Sequence, residues 1–178
     1  MNTTKLIGKL FASRQCFLEE AYVSRPEELQ RDVLRRLVSC AAGTEWGLQH
    51  RYDTIRTYED YARQVPVQTY DDVKAYVDRM RHGEHNLLWP GHVRWYAKSS
   101  GTTNDKSKFI PVSSDILHDT HYAGGRDCVA SYLMNNPDSR FFSGKGLILG
   151  GSHAPNYNVK GSLVGDLSAI LIENISPL

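Results

Sequence analysis

A chain of 178 residues, 40% hydrophobic and 10% aromatic, holds enough apolar material for a core of domain size. With 21 Lys and Arg against 20 Asp and Glu the formal charge is +1, so no global basic field draws in nucleic acid and any anion site must be local. The 23% charged fraction and the lack of low-complexity tracts argue against disorder, and no unbroken apolar run reaches the length of a membrane span.

Helical signals come first in the chain. Leu6, Ile7, Leu10 and Phe11, then Phe17, Leu18, Ala21 and Tyr22, recur at three- and four-residue steps, which predicts an amphipathic helix. Ser24-Arg25-Pro26-Glu27 is an N-terminal cap signature opening a second helix with Leu29, Val33, Leu37 and Cys40 along one stripe. Thr57 and Thr69 each precede an acidic first turn, predicting two further helices, the second carrying Val73, Tyr76, Val77 and Met80 on one face. Residues 1–82 are therefore expected to be mostly helical.

The pattern changes at Gly83. Turn residues run through Trp89-Pro90-Gly91, after which Val93, Trp95 and Ala97 alternate with Arg94, Tyr96 and Lys98, as in a half-buried strand. Phe109-Ile110-Pro111-Val112 reads as a second strand. A helix capped by Ser113 or Ser114 is expected to run to about Leu133 and to stop before Pro137. Gly146-Leu147-Ile148-Leu149-Gly150-Gly151 reads as a buried strand, and Leu163, Val164, Leu167, Ile170 and Leu171 as a last helix. The overall expectation is a single α/β unit.

Between the first two strands lies Ser99-Ser100-Gly101-Thr102-Thr103-Asn104-Asp105-Lys106-Ser107-Lys108, longer than a minimal hairpin turn and made of small polar residues. Phosphate binding needs backbone N–H groups free to converge, hydroxyls that donate without adding charge, and a cation. Gly101 lets the main chain approach a ligand, Ser99, Ser100, Thr102 and Thr103 offer hydroxyls, and Lys106 or Lys108 offers an ammonium. The register matches neither the Walker A pattern nor GxGxxG. Composition alone favours a plain solvated connection, since such segments are normally polar.

The string itself is more specific. Lys98-Ser99-Ser100-Gly101-Thr102-Thr103, followed by Lys108-Phe109-Ile110-Pro111, closely resembles the nucleotide-phosphate motif of the auxin-responsive acyl acid amido synthetases. These are a branch of the adenylate-forming superfamily, which also contains acyl-CoA synthetases and luciferases. The resemblance extends to Ile55 through Tyr61, to Val65-Pro66-Val67 with Tyr70-Asp71-Asp72, and to Gly83-Glu84 with Leu87 through Gly91, as in bacterial members.

That resemblance implies a fold in which a helical N-terminal region is followed by part of the mixed-sheet large domain, residues 1–178 forming one partial domain without the family's C-terminal domain. It implies a reaction in which a carboxylic acid attacks the α-phosphorus of ATP, giving an acyl-adenylate that an amine or amino acid then cleaves to an amide. Ser99, Ser100, Gly101, Thr102 and Thr103 would cradle the phosphates, Lys108 would be the motif's closing lysine, and Mg²⁺ would accompany the ATP. Where many relatives carry a glycine, Asn104-Asp105 brings a negative charge toward the triphosphate. Alternatives are an acyl-CoA ligase, which shares the first step, and a non-catalytic phosphate-binding or interaction module. The substrates implied are small molecules, with neither nucleic acid nor membrane as partner.

The remaining features carry weaker chemistry. Cys16, Cys40 and Cys128 are odd in number and far apart, which suits a reducing, cytoplasmic compartment, and Cys128 reads as a small core residue. His118 and His121 stand three apart with no third ligand at metal spacing, and Arg126 with Tyr122 reads as helix surface. Gly144-Lys145-Gly146 and Gly150-Gly151-Ser152-His153 read as tight turns, with a ligand-facing role as the alternative. A truncated domain is expected to expose an apolar surface, such as the Leu163 to Leu171 face, through which it could associate.

Overall fold

The periodic segments fold as helices. In the computed structural model, which describes residues 3–99 and 107–175, α1 spans Thr3–Leu18 and runs into a wider π-helical turn at Glu19–Ser24. α2, Pro26–Ala41, starts at the proline expected in its first turn. The short α3, Glu45–Gln49, is followed by α4, Tyr58–Gln64, and α5, Tyr70–Arg81. Strands β1, Trp95–Lys98, and β2, Phe109–Val112, come next. A π-helical stretch, Ile116–Tyr122, continues into α6, Ala123–Asn135, and the chain closes with β3, Leu163–Gly165, and α7, Leu167–Glu173. Among the described residues no helix is long and apolar enough to cross a membrane.

The chain divides into two compact units. One joins Met1–Gln30 to Asp115–Ile148. There α1 packs on α6, and Arg14 donates from Nε and Nη2 to the two carboxylate oxygens of Asp127 at 2.6 and 2.7 Å. The Gln15 amide donates to the carbonyl of the fully buried Ala130 at 2.7 Å. Planar, bidentate geometry makes the Arg14–Asp127 pair a strong polar tie of this unit, and the hydrogen bonds that Arg14 donates to Asp127 hold the guanidinium more firmly protonated than usual.

The other unit joins Arg31–Ser114 to Leu149–Leu178 and contains the sheet, ordered β2-β1-β3. β1 pairs antiparallel with β2, Lys98 opposite Phe109 and Trp95 opposite Val112, and parallel with β3, Tyr96 opposite Val164. Its main core gathers Val77 and Met80 of α5, Leu87, Val93, Tyr96 and Val164. Each fully buried aliphatic side chain there contributes on the order of 1.5–3 kcal/mol.

Four expectations are corrected here. The simple alternation predicted for β1 fails because Tyr96 is completely buried; as the central strand, β1 is covered on both faces, so both parities go inside. The segment expected as a buried strand at 146–151 is irregular and leaves Leu147 85% and Leu149 84% exposed. Both edges of β1 are already taken by β2 and β3, and the Gly151 and Ser152 N–H groups donate instead to Ser168 Oγ at 2.8 Å and Asp166 Oδ2 at 3.0 Å. The last helix begins only at Leu167, since Leu163–Gly165 pairs with β1 as β3, an instance of sheet pairing overriding a helical spacing. Of the face expected to be exposed, Val164 and Ile170 are buried, while Leu167 stays half exposed. Cys128 is not a core residue: it is exposed on α6, as are Cys16 and Cys40 on their helices.

The caps predicted at Thr57 and Thr69 form. Thr57 Oγ1 accepts the Asp60 N–H at 3.2 Å, while Asp60 Oδ2 accepts the N–H groups of Arg56 at 3.1 Å and Thr57 at 3.2 Å. Asp72 Oδ2 accepts the N–H and the hydroxyl of Thr69, each at 2.7 Å. Hydrogen bonds from Arg56 and Thr57 hold the Asp60 carboxyl below its usual range, and those from Thr69 do the same for Asp72. A carboxyl whose pKa is lower in the folded chain stabilises the fold above its ordinary pKa of about 4, and that contribution disappears as pH falls through the lowered value. Thermal melts followed by circular dichroism from pH 6 to pH 3 should therefore show stability falling most steeply below about pH 4. Asp72→Asn should melt lower at pH 6 and lose less on acidification than the parent chain.

Candidate phosphate site at the neck of the first hairpin

The antiparallel ladder of β1 and β2 continues one pair beyond the strands. Ser99 donates its N–H to the Lys108 carbonyl at 2.9 Å, and the Lys108 N–H donates to Ser99 Oγ at 3.2 Å. Ser99 and Lys108, nine residues apart in sequence, thus face each other across the neck of the connection. Because Ser99 Oγ accepts there, its own proton is left to donate elsewhere. Of the residues expected to cradle phosphate, these two are brought together; Ser100, Gly101, Thr102, Thr103 and Lys106 lie outside the described residues.

Aromatic rings hold both shoulders of the neck. On one side the Tyr70 hydroxyl, at the start of α5, accepts the Phe109 N–H at 3.0 Å, and Lys108 Nζ lies 5.5 Å from the centre of the Tyr70 ring. On the other, Lys98 Nζ sits 4.2 Å over the ring of Tyr157, which in turn meets the ring of Phe109 at 5.8 Å. Neither lysine forms an ion pair with a described carboxylate, so both cations keep their charge available.

Beneath them, at the end of α5, lies Arg81. Its side chain is almost wholly buried, with the guanidinium carbon 3.7 Å over the Phe109 ring and Nη2 donating to the Tyr157 carbonyl at 2.6 Å. No described carboxylate neutralises it, and its Nε and the hydroxyl of fully buried Tyr96 lack hydrogen-bond partners among the described residues. Burial pushes the Tyr96 phenol up to about 12, while the nearby Arg81 charge pulls the other way. A buried, unpaired cation is unfavourable by itself, so its two aromatic and carbonyl contacts are what make this placement tolerable.

The sequence pattern carried no signal for Arg81 or Tyr157, which come from a helix terminus and an irregular segment; Tyr70 was visible only inside the Tyr70-Asp71-Asp72 string. The other candidates take structural roles. Gly151 and Ser152 spend their N–H groups on Ser168 and Asp166, and the His153 ring lies against Trp95 with centroids 5.6 Å apart. His118 and His121 both lie against the Tyr122 ring, and no group of three metal-binding side chains forms among the described residues. Arg126 is exposed on α6. A separate cavity of about 360 Å³ in the same unit is lined by Trp46, Tyr52, Tyr61, Trp89 and aliphatic residues. Burial raises Tyr52 there to about 12, and the wall carries no charge suited to a phosphate.

A helical N-terminal region leading into a mixed sheet is a fold that this chain shares with solved amido synthetases. One, a GH3.15 acyl acid amido synthetase, superimposes with a TM-score of 0.74 over 99% of this chain and 31% of that one, at 21% identity. Another, the AtGH3.15 acyl acid amido synthetase in complex with 2,4-DB, gives 0.75 over 94% and 28%, at 22% identity. The model of the GH3 family N-terminal domain matches residues 18–176, and the chain therefore belongs to the GH3 family. Among curated relatives, the jasmonoyl-L-amino acid synthetase JAR6 of Nicotiana attenuata is 29% identical over 98 residues, 52% of this chain and 16% of the relative. The indole-3-acetic acid-amido synthetase GH3.15 of Arabidopsis thaliana is 30% identical over 101 residues, 56% of this chain and 17% of the relative. The chain thus covers about a sixth of the length of these two relatives.

Tyr70→Phe removes the acceptor for the Phe109 N–H while keeping the ring. It should cost about 1 kcal/mol of stability. Amide hydrogen exchange at Phe109 should accelerate, while the Ser99 N–H, held by the Lys108 carbonyl, stays protected.

Proposed function

We propose that this chain carries the triphosphate-gripping part of an ATP-dependent acyl acid amido synthetase, within a partial adenylate-forming domain. The observation that carries the reading is the juxtaposition of Ser99 and Lys108 across the hairpin neck, a hydroxyl with a proton to donate facing a residue whose ammonium no described carboxylate neutralises. Ser100, Gly101, Thr102 and Thr103 belong to the same motif and complete the cradle in this reading. The names of the family relatives, jasmonoyl-amino acid and indole-3-acetic acid-amido synthetases, support a small carboxylic acid and an amino acid or other amine as co-substrates.

In the first step the ionised carboxylate attacks the α-phosphorus and pyrophosphate leaves, with no general base required. Negative charge grows on the α-phosphoryl oxygens and on the leaving group. The contribution of this chain is electrostatic: the Ser99 hydroxyl and the Lys108 ammonium face the developing charge at fixed positions, so little reorganisation is needed as it forms. Mg²⁺ enters as part of the MgATP substrate and adds further neutralisation of the phosphates. The amine then displaces AMP from the acyl-adenylate to give the amide. An acyl-CoA ligase would share the first step and differ only in the second nucleophile. The three unpaired cysteines support a reducing, cytoplasmic setting.

Equilibrium titration with MgATP tests the site. Lys108→Ala and Ser100→Ala should each weaken binding about tenfold, equivalent to about 1.4 kcal/mol; unchanged affinity in both would discard the reading. Exchange of labelled pyrophosphate into ATP, driven by carboxylic acids, then separates a chain that adenylates from one that only binds.

A further inference from the structure

The two lysines at the neck are held differently, and Lys98, although it opens the motif string, carries no ligand role in the reading from sequence. The pleat places Lys98 with its ladder partner Phe109 on one face, and Ser99 with Lys108 on the other. On the Lys98 face three groups interlock: the ammonium lies over the Tyr157 ring at 4.2 Å, Tyr157 meets Phe109, and Arg81 covers Phe109 while donating to the Tyr157 carbonyl at 2.6 Å. A ring satisfies a cation without cancelling its charge, as a carboxylate would, and it restricts where a long flexible side chain can go. Arg81 holds the Tyr157 backbone through its carbonyl, and the Phe109 ring under Arg81 backs the Tyr157 ring.

We infer that Lys98 is a second anion-binding residue for the triphosphate and that Tyr157, pinned by Arg81, is its positioning residue. The inference rests on the proposed ATP-binding role of the hairpin neck and extends it to the opposite face. Two cations on the two faces can engage different phosphates of one polyphosphate, which a single closing lysine cannot do. Their attraction for the ligand is local, matching a chain whose net charge is only +1.

The test is titration of the chain with MgATP, comparing wild type with Lys98→Gln, Tyr157→Phe, Tyr157→Leu and the double variant Lys98→Gln/Tyr157→Leu, with melting temperatures alongside. Lys98→Gln and Tyr157→Leu should each lower affinity about three- to tenfold, and the double variant no further than the larger of the two, since both break one interaction. Tyr157→Phe keeps the ring and should bind like wild type, a rescue that a general loss of packing would not give. Full affinity in Lys98→Gln overturns the inference, as do additive losses in the double variant. If Tyr157→Leu does not fold, Lys98→Gln and Tyr157→Phe still decide it: wild-type affinity in the first, or a loss in the second, sinks the proposal. Absence of MgATP binding by folded wild type overturns the ATP reading itself, whereas wild-type binding with an unaffected Lys98→Gln removes only the role given to Lys98.

Discussion

The pairing of β1 with β2 is the constraint on which the candidate site depends. Four ladder pairs fix the register from Trp95–Val112 to Lys98–Phe109, and the next pair along is Ser99 with Lys108. A slip of one residue would turn Lys98 and Ser99 to opposite faces and take the ammonium off the Tyr157 ring. Register is in turn held by burial, because Tyr96 sits wholly inside the core with Val77, Met80 and Val164, and a shift would put Trp95 or Ala97, each of a different volume, into its place. Packing against α5 on one side and pairing with β3 on the other therefore fix where the neck lies, which is what preorganised charge requires.

Among the described residues, cations at this neck are held by aromatic and carbonyl groups rather than by acids. Arg81 is buried over Phe109 and bonded to a carbonyl, Lys98 lies on Tyr157, and Lys108 stands near Tyr70. Elsewhere in the same unit the opposite device is used: Arg79, also on α5, is bound by both Glu45 and Glu84 at 2.7–2.9 Å and is held strongly protonated by them. Two arginines two residues apart on one helix thus meet different fates. The exposed one is neutralised, where a surface ion pair is worth little but does no harm. The buried one is left with its charge, close to the segment proposed above to grip a triphosphate.

Much of the local architecture could be read directly. Thr57 and Thr69 cap their helices because a Thr with an acid three residues on satisfies the first-turn N–H groups by itself, whatever the rest of the chain does. The strand positions of Trp95–Lys98 and Phe109–Val112 and the motif between them were likewise legible, since turn residues and alternation are local signals. Errors arose where a neighbour distant in sequence made the decision. Leu163–Gly165 has a helical spacing and became a strand because β1 offered a free parallel edge, and residues 146–151 have a strand-like composition and stayed irregular, the Gly151 N–H going to the Ser168 hydroxyl instead of a strand.

Hydrogen bonding and hydrophobic periodicity act over a few residues, and so chain order alone specifies where helices begin, where the hairpin turns and which polar string it carries. Which charges stand opposite one another is settled over separations of 39 and 76 residues, as in Tyr70 with Phe109 and Arg81 with Tyr157. Those contacts exist only once the sheet and α5 have packed, because burial of Tyr96 and the docking of Tyr157 are cooperative outcomes of the whole unit. The motif was therefore written in the chain, whereas the aromatic seats that give its lysines a fixed place were supplied by the fold.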